Sequence, residues 1–146
     1  MVNLLKHKLI IISVMMCLVL GTIPFALGAT SPTTTNTVSI SSLYVGAPKQ
    51  TNNQEYVKIA NTGKTSVNMK GWKITDSGRK HVYSFPSSYV LKAKSTVTLY
   101  TGKGTNTATS LHWGLGVFVW NNEGDTAYLY NAQGKLVSSK KGVKVK

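Results

Sequence analysis

From residue 38 onward, apolar and polar residues alternate in short runs that are rich in β-branched and aromatic side chains. Val57 and Ile59 share one face of such a run, and Val97 and Leu99 share one face of another. Because successive side chains on a strand point to opposite faces, this period of two predicts strands with one buried face. The predicted strands cover residues 38–45, 55–60, 67–75, 81–85, 95–100, 117–120, 126–130 and 135–138.

Turn-forming residues separate these runs, and no segment after the N-terminal region shows a helical hydrophobic period. Asn and Gly residues mark the turns at 61–63 and 121–124. Many short strands with frequent turns are typical of an antiparallel sandwich or barrel, and no helix is available to connect parallel strands. Within 67–75 the alternation slips by one residue at Lys70-Gly71, which predicts a β-bulge.

Residues 1–28 have the pattern of a secretory signal peptide. Lys6 and Lys8 supply positive charge, an apolar run follows at 9–20, and small residues precede an expected cleavage after Gly28 or the next residue. We therefore expect the protein to be secreted or held at the cell surface. If the leader is not cleaved it becomes a membrane anchor, and a membrane is an expected partner only in that case.

Charge and cysteine content narrow the function classes. The 146 residues include 17 Lys and Arg against 4 Asp and Glu, a net charge of +13. Cleavage after Gly28 removes two lysines and Cys17, the single cysteine, and leaves 118 residues with a net charge of +11. A disulfide scaffold and a cysteine metal site are thereby excluded. A Ser/Thr-rich segment at 29–37 is expected to be a linker.

Two motifs in fixed order carry a resemblance to a known family. They are Gly-Trp-x-Ile-x-Asp at 71–76 and Asn-Asn-x-Gly-Asp at 121–125, with Glu-Tyr-Val-x-Ile at 55–59 before them. The chain over 38–138 resembles a lamin tail domain of the kind that stands alone in secreted prokaryotic proteins. The residues that mark this structural motif are Glu55, Gly71, Trp72, Asp76, Trp120, Asn122, Gly124 and Asp125.

The resemblance implies an all-β, immunoglobulin-like antiparallel β-sandwich that binds or scaffolds and has no catalytic residues to transfer. Lamin tail domains are associated with DNA and chromatin, so the resemblance makes DNA a conceivable partner. No coiled-coil heptad precedes the domain, and the filament-forming role of lamins is therefore not expected.

The motif residues have expected structural roles. Trp72 is predicted to be the central core aromatic, with Gly71 bending the backbone so that the ring turns inward. Residues 121–124 fit a hairpin loop because Asn and Gly tolerate positive φ. Asp125 is expected to accept backbone N–H bonds that close this loop.

The residues offer little for catalysis or metal binding. Glu123 and Asp125 flank a glycine, but a calcium loop needs six to eight oxygen ligands, so loop closure is the better interpretation. His81 and His112 lack a second ligand at zinc-site spacing. No nucleophile elbow, P-loop or dinucleotide fingerprint is present. We expect no enzyme activity, no cofactor and no metal.

The excess of lysine favours diffuse attraction to a polyanion outside the cell, either DNA or an anionic cell-surface polymer. Lys58 and Lys73 are predicted to point away from their apolar neighbours, and residues 139–146 to form an unpaired basic tail. Aromatic residues are candidates for additional stacking, namely Tyr83, Tyr100, Trp113, Tyr128 and Tyr130. The candidate polyanion-binding residues are Lys58, Lys73, Arg79, Lys80, Lys140, Lys141, Lys144 and Lys146.

Three other interpretations stay open. The charge can serve solubility and non-specific adhesion alone. The chain can be a protein–protein adhesion domain that uses a sheet edge or an aromatic patch at 111–118 to bind another cell-surface protein. It can also be an accessory domain of a secreted hydrolase system.

Overall fold

A computed structural model describes residues 37–46 and 50–142, which fold into ten short strands. A single 3₁₀ turn at Asn52–Gln54 interrupts them, and no helix in these ranges is long and apolar enough to cross a membrane. The strands are β1 Val38–Tyr44, β2 Tyr56–Asn61, β3 Val67–Asn68, β4 Lys73–Thr75, β5 Val82–Ser84, β6 Val90–Leu91, β7 Ser95–Tyr100, β8 Ser110–His112, β9 Thr126–Tyr130 and β10 Leu136–Lys141.

The strands form two four-stranded sheets and one small pair. The first sheet has the order β1-β2-β7-β8, the second sheet has the order β10-β9-β4-β5, and β3 pairs with β6. Strand pairing is antiparallel except between β7 and β8, which are parallel. The all-β, immunoglobulin-like antiparallel β-sandwich is therefore confirmed, and the β7–β8 pair is the one parallel pairing among the described strands. The connection 101–109 returns the chain to Thr98 in the middle of β7, so β8 runs in the same direction as β7.

The alternating apolar residues pack into one core. Val57 and Ile59 of β2 are fully buried, as are Val97 and Leu99 of β7. Ile74 on β4 and Leu129 on β9 are fully buried core residues of the second sheet. The period-two pattern thus identified the buried face of the long strands correctly, because burial of these side chains is the dominant favourable contribution to folding.

Trp120, and not Trp72, is the tryptophan of the core. Trp120 is 2% exposed, whereas Trp72 is partly buried and packs against the outside of the core cluster. Gly71 has φ +78 and forms a turn in which the Trp72 N–H donates to the Met69 carbonyl at 3.0 Å. That turn leaves fully buried Met69 in the interior position, so the prediction of Trp72 as the central core aromatic is wrong.

Three predicted strands also differ from the structure. Segment 67–75 is not one bulged strand, because the turn at Gly71 ends β3 in the small sheet and leads into β4 in the second sheet. Segment 117–120 is not a strand, because the chain bends at Val117 and Trp120, and the Val119 N–H donates to a Glu55 carboxylate oxygen at 3.1 Å instead of joining a ladder. With no strand before it, the 121–124 turn is not a hairpin loop.

The last predicted strand continues beyond its expected end at residue 138. Strand β10 runs to Lys141, where Lys140 and Lys141 pair with Ala127 and Thr126 of β9. These two lysines therefore lie on a paired strand and not in the predicted basic tail, because the ladder to β9 satisfies their backbone groups. The signal segment, most of the linker, and Lys144 and Lys146 lie outside the described residues.

Candidate functional site

A cationic cavity of about 320 Å³ lies on the outer face of the second sheet. Lys73 on β4 lies directly opposite Tyr130 on β9, and the turn between β4 and β5 brings Arg79 to the same place. Its described lining contains no carboxylate, and is completed by Gly71, Thr75, Asn131, Ala132 and Gly134.

The β4–β5 turn fixes the position of Arg79. The Arg79 N–H donates to the Asp76 carbonyl at 3.1 Å, and Arg79 has φ 54, the left-handed conformation of a tight turn. The Asp76 carboxylate binds the far side of the turn, with 3.2 Å to the His81 backbone nitrogen and 3.0 Å to His81 Nδ1. Asp76 is therefore occupied in holding the turn.

The Arg79 side chain lies over Tyr130. Nη2 donates to the Tyr130 hydroxyl at 3.2 Å, and Cζ is 5.7 Å from the centre of the ring. This contact holds the planar guanidinium in one place while using one of its five N–H donors. An arginine positioned in this way is prepared for bidentate binding of a phosphate or carboxylate.

Thr75 lines the cavity and has an unsatisfied polar group. It is 6% exposed, and its Oγ1 has no hydrogen-bond partner in the part of the chain that the structure describes. A buried hydroxyl without a partner is costly, but Oγ1 is itself inaccessible, so it offers a ligand in the cavity no direct contact in this structure.

Three of the four carboxylates are buried. Glu55 is 0% exposed, Asp76 is 6% and Asp125 is 8%, while Glu123 lies exposed in the turn before β9. The described Lys and Arg side chains are all exposed except partly buried Lys58. The surface that a partner meets is therefore more cationic than the balance of residues alone indicates.

Asp125 is held by four hydrogen bonds. Oδ1 accepts from the Ser77 backbone at 3.2 Å, the Ser77 hydroxyl at 2.6 Å and the Thr126 backbone at 2.7 Å, and Oδ2 accepts from the Asn121 backbone at 3.1 Å. Burial opposes ionisation of this carboxyl, but these bonds outweigh it and hold its pKa below the ordinary value. Asp125 thus joins the 121–124 turn to the β4–β5 turn that carries Arg79.

Glu55 ties the unpaired segment before Trp120 to the start of β2. Its Oε2 accepts the Val119 N–H, and its Oε1 has no partner among the described residues. Burial raises the pKa of this carboxyl, and the backbone N–H bond offsets only part of that effect. Glu55 therefore has a structural role, inside the sandwich and away from the cationic cavity.

The structure brings together only some of the predicted cations. Lys73 and Arg79 share the cavity, and Lys80 follows in the same turn. Lys141 pairs with Thr126 and so lies on the sheet face that carries Tyr130, four residues along β9. Lys58 lies on the outer face of the other sheet.

Tyr130 is the cavity residue whose role could not be read from the sequence. It was one of five aromatic candidates, but its partner Arg79 is 51 positions away, and no local signal links the two. Some of the five aromatic candidates had to belong to the core, and Tyr83 is one of these, because it is 7% exposed and packs against Phe85 and Trp113.

The remaining motif residues lie in turns. Gly124 has φ +121, and its N–H donates to the Asn121 carbonyl at 2.9 Å. Asn122 is exposed beside it. Over 37–46 and 50–142, no group of three or more His, Cys, Asp and Glu side chains could hold a metal ion.

The two sheets packed around Trp120 define an immunoglobulin-like module. A model of the Lamin Tail Domain family matches residues 31–142. The chain therefore belongs to that family and is an immunoglobulin-like module. A search of curated proteins found no match.

Proposed function

We propose that this module attaches electrostatically to a polyanion outside the cell, with the cationic cavity of the second sheet as its main contact. The observation that carries the proposal is the convergence of Lys73, Arg79 and Tyr130 at a cavity without a carboxylate, on a protein that buries three of its four acids. The signal pattern at 1–28 supports secretion or a cell-surface location, where DNA and anionic cell-surface polymers are available polyanions.

The chemistry of the cavity suits a phosphodiester or carboxylate group. Arg79 offers a planar pair of donors, and Lys73, the register partner of Tyr130, adds a point charge to the same lining. Lys80 and Lys141 extend positive charge along the same sheet, which favours a polymer over a small anion.

A salt titration with matched variants tests this proposal. Binding of the purified protein to labelled duplex DNA and to an anionic glycopolymer is measured by anisotropy from low to physiological salt. The double variant Lys73→Ala/Arg79→Ala is compared with Lys64→Ala/Lys92→Ala, which removes the same charge from exposed lysines outside the cavity. For duplex DNA, we expect the cavity variant to lower the slope of log K against log salt by about 2.

The outcomes distinguish binding at a defined site from diffuse electrostatic attraction. A larger loss of binding affinity in the cavity variant than in the control variant supports the cavity as the main contact. Equal losses in the two variants exclude it as the main contact and leave non-specific attraction. If the wild-type protein binds neither polymer at low salt, the polyanion proposal is wrong.

A second candidate function is protein–protein adhesion, and one observation favours it. Val117 is 57% exposed and Phe118 is 51% exposed, next to each other in the unpaired segment before Trp120. Adjacent exposed apolar side chains are a common feature of protein interfaces. Binding to another protein, or self-association, that persists at high salt and is lost in Val117→Ser/Phe118→Ser would support adhesion.

A further inference from the structure

A continuous aromatic row crosses the outer face of the first sheet. Tyr44, Tyr56, Tyr100 and His112 are register partners on β1, β2, β7 and β8, so one ring lies on each strand of the sheet. The ring centres are 5.3 Å apart between Tyr44 and Tyr56, 6.1 Å between Tyr56 and Tyr100, and 5.2 Å between Tyr100 and His112. We name this set the aromatic row.

The row is on the outside because its neighbours along each strand are inside. Leu43, Val57, Leu99 and Leu111 are buried, whereas the four rings are partly buried. Side chains alternate across a strand, so the rings stand on the opposite face from this core. They are accessible to a partner without any rearrangement of the core.

A second row of polar side chains runs parallel to the first. Ser42, Lys58, Thr98 and Ser110 are register partners two positions along from the aromatic row. Lys58 Nζ is 5.2 Å from the centre of the Tyr56 ring, which places a cation directly beside the stacked rings. The outward positions of these four strands carry no carboxylate.

Both ends of the aromatic row are held in place. The Tyr44 hydroxyl donates to Gln50 Oε1 at 2.9 Å. At the other end the Gly104 backbone lies against the His112 ring, where a Cβ on Gly104 would be 2.2 Å from His112 Cε1. Rings that are already ordered lose little conformational entropy on binding, so the surface is preorganised for a ligand.

Cross-strand aromatic pairs also stabilise sheets on their own. That role does not require the cation beside Tyr56 or an outer face free of carboxylates. Aromatic rings on a four-stranded sheet, together with a positive charge, are the combination that binds single-stranded nucleic acids, because every base offers a stacking face and every linkage a phosphate.

We propose that the aromatic row and Lys58 bind a single strand of nucleic acid, with bases against Tyr44, Tyr56 and Tyr100 and a phosphate at Lys58. A duplex keeps its bases stacked inside, so this face prefers single strands. The inference deepens the polyanion proposal but uses a different face of the protein, and the two can fail separately.

The test compares two single strands that have the same number of phosphates and differ only in the presence of bases, with a duplex and a glycan as further ligands. Anisotropy measures binding to a labelled oligothymidine, to an abasic strand of equal length, to a duplex and to an anionic glycan. We expect the wild-type protein to bind oligothymidine roughly tenfold or more tightly than the abasic strand. Equal affinity for the two strands, or tighter binding of the glycan, would overturn the proposal.

Matched variants assign that preference to the rings. The triple variant Tyr44→Leu/Tyr56→Leu/Tyr100→Leu removes the three rings proposed to contact bases and keeps apolar bulk, whereas Tyr44→Phe/Tyr56→Phe/Tyr100→Phe keeps the rings. The leucine variant should bind oligothymidine no more tightly than the abasic strand, with abasic binding unchanged, while the phenylalanine variant keeps the preference. Thermal melts verify that both are folded, and a base preference that survives in the folded leucine variant would contradict the proposal.

The cavity variant Lys73→Ala/Arg79→Ala distinguishes the two proposals. If the cavity binds phosphates and the aromatic row binds bases, this variant lowers the affinity for oligothymidine and for the abasic strand by the same factor. The ratio of the two affinities then stays unchanged. If the cavity variant binds both strands as tightly as the wild type and keeps the ratio of the two affinities, the result would support the aromatic row as a binding site and contradict the proposal for the cavity.

Discussion

Replacing Asp125 with alanine should destabilise the domain more than any other change to an acidic residue. The carboxylate accepts four hydrogen bonds. The substitution removes this acceptor, so the donors on Ser77, Asn121 and Thr126 lose their hydrogen-bond partner. A hydrogen bond to a charged group contributes about 1.5–3 kcal/mol. Because the four bonds share one carboxylate and some of the donors can reach water, we expect a total loss of about 3–5 kcal/mol.

That loss is large relative to the stability of a small domain, which is about 5–15 kcal/mol. Urea unfolding followed by tryptophan fluorescence measures it, with Glu123→Ala as the control in the same turn. Glu123 is exposed, so its replacement should change the free energy of unfolding by less than about 0.5 kcal/mol. If Asp125→Ala loses less than about 1 kcal/mol, Asp125 does not hold the two turns together as inferred.

The pH dependence gives a second measurement on the same residue. The pKa of Asp125 is lower in the folded state, so its stabilising effect is present above the ordinary aspartate pKa and is lost as the pH falls through the folded value. Asp125→Asn should remove this part of the acid-induced loss of stability. An unchanged acid slope in the variant would contradict the assigned direction.

The remaining predictions concern the core, a second carboxyl and a turn. Trp120→Ala should lower the free energy of unfolding by about 3–5 kcal/mol, and Trp72→Ala by clearly less, in urea titrations; equal losses would contradict their different burial. The pKa of Glu55 is raised, so its stabilising effect is complete below the ordinary glutamate pKa and is lost as the pH rises through the folded value. Glu55→Gln should therefore become more stable relative to wild type from pH 4 to pH 8, and a constant difference would refute this. Gly71→Ala should cost about 1–2 kcal/mol because φ is +78 and the new Cβ would lie 3.2 Å from Ala132 Cβ; a neutral thermal melt would contradict the strained turn.

The sequence was most informative where a strand is long and one of its faces is buried. Val57, Ile59, Val97 and Leu99 were assigned to the core correctly because a period of two has one physical cause, the alternation of side chains across a strand. Segment 117–120 has a similar β-branched and aromatic composition but no alternation of apolar and polar residues, and it is not a strand: Val117 and Phe118 are exposed, whereas Val119 and Trp120 are buried. Composition without alternation therefore did not identify a strand or its buried face.

The candidate site was only partly predictable. The lysine excess indicated a polyanion, and Lys73 was expected on the surface, but its grouping with Arg79 and Tyr130 depends on the pairing of β4 with β9. The aromatic row depends in the same way on the register of four strands. Contacts between residues far apart in the chain follow from sheet order, which the local pattern does not encode.

The burial of acidic side chains has a consequence for adhesion in changing surroundings. Asp76 and Asp125 are engaged inside the turns and Glu55 lies in the interior, so mild acidification has few outward carboxylates to neutralise. For the proposed attachment to a polyanion, neutralised carboxylates would therefore change the binding little, and screening by dissolved ions would weaken it more.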